Sequence, residues 1–106
     1  MQTSGVKPTT TPVVVREVVG KSGALAPENG GVLAAFVADA ANNGHVTVDF
    51  SGCGALSSGF TNAFVLALQK SRPLEEWKQL LEFEGLDSVG HLVLARSLKA
   101  VRNLGR

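Results

Sequence analysis

The chain has 106 residues, 44% of them apolar, with ten basic and nine acidic side chains and a formal charge of +1. That size supports one domain with one modest core, and the near-balance of charge argues against nucleic-acid binding by bulk electrostatics. A single cysteine, Cys53, excludes an internal disulfide and a multi-cysteine metal site, and no apolar run reaches the roughly 18 residues a membrane span needs.

Residues 1–11 are mostly Thr, Ser, Gly, Gln, Pro and Lys and read as a polar leader. They lack the basic-then-apolar order of a signal peptide, so the expected compartment is the cytoplasm. The domain is expected over 12–106. Val13, Val14 and Val15 open a β-branched run through Val18 and Val19, interrupted by Arg16 and Glu17. This pattern predicts a strand with one half-exposed face. Gly20-Lys21-Ser22-Gly23 is a turn signal, and Ala24-Leu25-Ala26 is a candidate second strand.

Pro27 and Glu28 suit a first helical turn. Leu33, Phe36, Val37 and Ala40 then recur at the spacing of one helix face, and Asn42-Asn43-Gly44 stops that helix. Val46, Val48 and Phe50 alternate with Thr47 and Asp49, which predicts a short strand at the centre of the sheet. A glycine-rich loop follows. Phe60, Ala63, Phe64, Ala67 and Leu68 give a second helical stripe, from about Ser58 to Lys70, apolar on much of its girth. Ser71-Arg72-Pro73 breaks it, and Leu74 to Trp77 reads as one short turn. Residues 80–83 read as a further strand. Asp87 or Ser88 caps a last helix, with Val89, Leu92, Val93 and Ala100 on one face and Leu94, Leu98 and Val101 on the adjoining one. Strand-helix alternation with short connections predicts an α/β fold with a small mixed, largely parallel sheet.

The chemistry concentrates in residues 46–64. A strand ends at Asp49 or Phe50, glycines turn the chain, and Ser57-Ser58-Gly59 stands where a helix begins. Ser57 is an N-cap candidate, because its oxygen can accept from a first-turn N–H. A phosphoryl group on such a serine would meet free N–H groups and the positive end of the helix dipole. It would add about two negative charges without unfolding the domain.

The block Val46-Thr47-Val48-Asp49-Phe50-Ser51-Gly52-Cys53-Gly54-Ala55-Leu56-Ser57-Ser58-Gly59-Phe60 resembles the central motif of the STAS superfamily, the anti-sigma factor antagonists. It is more similar to a smaller bacterial group of STAS-like domains, whose later Phe-containing strand resembles Leu81-Glu82-Phe83 followed by Gly85-Leu86. The likeness spans about residues 27–104. It implies a STAS-like fold and a non-catalytic protein-binding module in signalling. Asp49 would be the acid at the strand end, Ser57 the serine that a partner kinase phosphorylates, and Ser58 and Gly59 the start of the helix. The antagonists carry Asp immediately before that serine, where this chain has Leu56. The partner implied is an ATPase-type serine kinase or histidine-kinase-like regulatory protein.

Other constellations are incomplete. Asp49, Ser57, His45 and His91 bring a hydrolase to mind, but His45 opens the strand about 15 Å from Ser57, and the Gly-x-Ser-x-Gly elbow is missing. A phosphate-binding loop of the Walker type needs Lys before Ser or Thr, and residues 51–59 contain no lysine. The dinucleotide fingerprint is missing too. Two histidines without a nearby cysteine or acidic pair do not form a metal site. No catalytic residue, cofactor or metal is therefore expected. Thr61, Arg72 and Trp77 are candidate partner contacts, since Trp and Arg often dominate interfaces. Arg96, Lys99, Arg102 and Arg106 make the C-terminal stretch basic, which suits a helix end or a docking strip for an acidic partner. The alternative function is a small enzyme or a nucleotide- or anion-binding domain that uses the N-terminus of the helix starting near Ser57. A purely structural subunit is the third.

Overall fold

The computed structural model describes residues 10–19, 26–53 and 56–104. Their order is β1 (Thr10–Val14), α1 (Val15–Val19), α2 (Pro27–Ala40), a 3-10 turn (Ala41–Asn43), β2 (His45–Asp49), α3 (Ser58–Ser71), α4 (Leu74–Leu80), β3 (Leu81–Glu84) and α5 (Ser88–Leu104). The strands form one three-stranded sheet in the order β1-β2-β3. All described pairings are parallel, so this sheet is wholly parallel rather than mixed. β2 is central, as the alternation of 46–50 predicts.

Two successive right-handed crossovers across a sheet of sequential order lay their helices on one face. α2 packs on α3 and α3 packs on α5, which gives a single helical layer over the sheet. Val13, Val48 and Phe83 are register partners and share the face under that layer. The opposite face carries Thr47, Asp49, Glu82 and Glu84, half-buried or exposed. Parallel strands covered on both sides read as unbroken apolar runs. The polar-apolar alternation along β2 thus records cover on one side only.

The leading half differs from the sequence expectation. β1 starts at Thr10, so Thr10 and Thr11 pair with His45 and Val46, and Pro12 sits on an edge strand. The strand stops at Val14, and Val15–Val19 is a helix instead of its continuation. β2 ends at Asp49, opposite Val14, so a longer β1 would have no ladder partner. The turn expected over 20–23 and most of the strand expected over 24–26 lie outside the described residues. Ala26 is the N-cap of α2, where its N–H donates to Asn29 Oδ1 at 3.2 Å.

The core is built from Val13, Val46, Val48 and Phe50 of the sheet region against Leu33, Val37, Phe60, Phe64, Val65 and Leu68. Helix faces are rotated from their expected positions. Phe36 is 54% exposed, while Ala34, buried, faces the core in its place. On α5 the buried face is Leu94, Ser97 and Val101, leaving Val89 62% and Leu92 52% exposed. Small residues explain both shifts. Gly30 lets α2 approach the α3 backbone so closely that a Cβ would fall 2.6 Å from Phe60 O. Ser97 exchanges a buried hydrogen bond with Thr61 Oγ1, which turns that side of α5 toward α3.

Candidate functional site

A parallel sheet with helical crossovers gathers the carboxyl ends of its strands and the N-termini of the following helices at one end. Here that end holds Asp49 and the turn after it, the start of α3 at Ser57 and the start of α5 at Ser88.

The turn after β2 is held from both sides. Asp49 Oδ1 accepts the Ser51 N–H at 2.8 Å, as short acidic side chains do when they close a turn on their own backbone. Phe50 N–H donates to Glu84 O at 2.8 Å, and Cys53 N–H to Phe50 O at 3.0 Å. Gly52 has φ +77°, and a Cβ there would lie 2.5 Å from Arg16 Nη1. Glycine at 52 therefore supplies the left-handed backbone and also the room for Arg16 of α1 to lie over the loop. The Ser51 hydroxyl and N–H hold the Asp49 carboxyl below its ordinary value; burial opposes them more weakly, and Arg16 lowers it by less still. Burial pushes the Cys53 thiol up, and Asp49 adds to the rise while Arg16 opposes it. A thiol in that setting stays protonated at neutral pH and is a poor nucleophile.

Ser57 stands in extended backbone as the N-cap of α3, and its Oγ accepts the Phe60 N–H at 3.2 Å. Its side chain is exposed. Ser58 and Gly59 fill the first turn, also exposed, and a Cβ on Gly59 would lie 3.3 Å from Pro27 Cγ. The starts of α2 and α3 thus abut. Leu56 is half-buried and packs on the core. With Phe50, Cys53, Leu86 and Asp87 it lines a shallow depression of about 200 Å³ between the loop and the start of α5. Asp87 caps α5, its Oδ1 accepting the Gly90 N–H at 2.7 Å. The site therefore joins Arg16, Asp49, Leu56, Ser57 and Asp87, contributed by widely separated segments.

Two of the expected partner contacts are corrected. Trp77 is 2% exposed, with Nε1 donating to Leu68 O at 2.7 Å. Burying both ring and N–H in this way makes it part of the core rather than a surface anchor. Thr61 is also fully buried, its hydroxyl placed to donate to Ser57 O at 3.2 Å or Ser58 O at 3.3 Å and paired with the Ser97 hydroxyl. Arg72 is half-exposed, with its guanidinium carbon 5.0 Å from the Trp77 ring centroid. His45 opens β2 at the far end of the strand from the Ser57 loop, and His91 lies in the first turns of α5, both exposed. No group of three or more His, Cys, Asp or Glu side chains able to hold a metal occurs among the described residues. Among those same residues, no helix is long and apolar enough to cross a membrane.

Arg16 is the site residue the sequence did not single out. Its only signal was a charged pair, Arg16-Glu17, interrupting a valine run. No family model, curated protein or solved structure matches this chain.

Proposed function

We propose that the chain is a STAS-like, non-catalytic protein-binding module that acts in the cytoplasm and is switched by phosphorylation of Ser57. The kinase is an ATPase-type serine or histidine-kinase-like regulatory partner. The observation that carries this reading is the exposed Ser57 side chain at the N-cap of α3, with its Oγ on the Phe60 N–H. Phosphate oxygens at that position meet first-turn N–H groups and the positive helix end, with no new counter-charge needed. The Arg16 side chain, lying over the same loop, adds a cation on that surface.

The modification adds about −1.5 to −2 charge to the docking face. Ser57→Asp therefore weakens partner binding, and Ser57→Ala keeps it at a cost of about 1 kcal/mol of stability from the lost cap. The test is intact-mass analysis after incubation with ATP and an ATPase-type serine kinase, with partner affinity measured well below the melting temperature. A gain of one phosphate that disappears in Ser57→Ala supports the switch. No gain with an active kinase, together with equal affinity for Ser57→Asp and wild type, rejects it.

A further inference from the structure

The helical layer is not closed on the β3 side. α5 is drawn onto α3 by Leu94, Ser97 and Val101, and the Thr61–Ser97 hydroxyl pair locks it there. β3 has only four residues, and α4 covers its start. Between them remains an apolar cleft of about 220 Å³. Its walls include Phe64 and Leu68 of α3, Trp77 of α4, Phe83 of β3, and Leu94 and Leu98 of α5. The Trp77 N–H is committed to Leu68 O, so it offers the cleft no donor. One charged side chain, Lys78, is among the lining residues.

A second depression of about 260 Å³ adjoins the first and shares Leu74, Lys78 and Leu98 with it. Lys78, Lys99 and Arg102 border it, against one carboxylate, Glu75. Arg102 spends part of its charge on Glu75 at 3.4 Å, across two exposed side chains. Such a surface pair contributes little, so it is a weak strap over the mouth. Lys78 and Lys99 form no ion pair among the described residues. The arrangement is thus an apolar cleft that opens onto a positively charged rim. A cavity of about 150 Å³ lined by Leu, Ile and Phe holds one benzene. On that scale this cleft takes a chain of about eight carbons, or one ring with a few methylenes.

We propose that the cleft between α4, β3 and α5 binds a small amphipathic carboxylate, with its apolar tail against Trp77 and its carboxylate on Lys78. The tail fills space that otherwise lacks contact partners, and the charge-assisted hydrogen bond at the mouth fixes the head. The cleft shares α3 with the Ser57 cap but draws on Phe64 and Leu68 further along it, and binding there does not depend on phosphorylation.

Trp77 is the single tryptophan and the chain has no tyrosine, so intrinsic emission reports this cleft alone. The experiment titrates the whole protein with octanoate, octan-1-ol and acetate, following that emission and the melting temperature. Octanoate gives a saturable change and raises the melting temperature, octan-1-ol binds at least about tenfold more weakly, and acetate has no effect. Lys78→Gln, on an exposed side chain, brings octanoate to the affinity of octan-1-ol and leaves octan-1-ol unchanged. Leu98→Phe, which fills the cleft, weakens both ligands. No saturable change with octanoate overturns the proposal. So does equal binding of octanoate and octan-1-ol with no effect of Lys78→Gln, or undiminished binding in Leu98→Phe. A concentration-dependent dimer by light scattering, lost in Leu98→Phe, would make a second copy the occupant and equally overturn it.

Discussion

Alanine at Gly30 and alanine at the neighbouring Gly31 should move stability in opposite directions. Both lie in α2, so each replacement gains the same helical term of roughly 0.5–1 kcal/mol from reduced backbone freedom. Gly31 faces open space, with nothing within 4 Å of an added Cβ. At Gly30 the added carbon would fall 2.6 Å from Phe60 O, 2.7 Å from Phe64 N and 3.0 Å from Ala63 Cβ. Non-bonded heavy atoms prefer about 3.5 Å, so the methyl intrudes by roughly 0.8–0.9 Å on two backbone atoms of α3. Backbone cannot swing away as a long side chain can, and α2 must move off α3. Overpacking of this kind costs about 1–3 kcal/mol, and two backbone contacts put Gly30 toward the upper end. The helical terms cancel between the two variants, so their difference isolates the packing term at about 2–3 kcal/mol. For a domain near this size that separates the melting temperatures by roughly 10–20 °C. Urea unfolding of wild type, Gly30→Ala and Gly31→Ala, with an unchanged slope, is the measurement. Gly31→Ala should lie above wild type and Gly30→Ala below it. A Gly30→Ala midpoint at or above that of Gly31→Ala would refute the close approach of α2 and α3.

Phe64→Ala removes a fully buried ring between helix and sheet and should cost about 3–5 kcal/mol in the same assay; a loss below about 1 kcal/mol would contradict its place in the core. Thr61→Val leaves the Ser97 hydroxyl buried without its partner and should cost about 1–3 kcal/mol. Adding Ser97→Ala should cost less than the sum of the single changes, and strict additivity would show that the two hydroxyls are uncoupled. Asp49 has its folded pKa lowered, mainly by Ser51, so its contribution to stability is present above the ordinary aspartate value and is lost as pH falls through the folded value. The melting-temperature difference between wild type and Asp49→Asn should therefore be steady above about pH 5 and shrink below about pH 4; a difference that grows on acidification would reverse the assignment.

Periodicity along the chain determined most of the elements here, and in α3 and β2 the spacing also carried the buried face. Val46, Val48 and Phe50 alternate because one side of the sheet is covered, and the stripe from Phe60 to Leu68 repeats because one side of α3 is buried. Ser57 was legible for the same local reason: a strand, a glycine turn and a serine before an apolar stripe define a cap without any distant contact. Tertiary structure alone decided the rest. The valines from Val13 to Val19 favour a strand throughout, yet the chain turns helical at Val15 because β2 leaves nothing to pair beyond Asp49. Phe36, Val89 and Leu92 are as apolar as the residues that are buried, and their exposure follows from how Gly30 and the Thr61–Ser97 pair orient neighbouring helices. Arg16 and Asp87 join Ser57 because parallel strands bring every carboxyl end, and every helix start that follows, to the same side of the sheet. No local spacing encodes that meeting, since residues far apart in the chain become neighbours only once the crossovers are made.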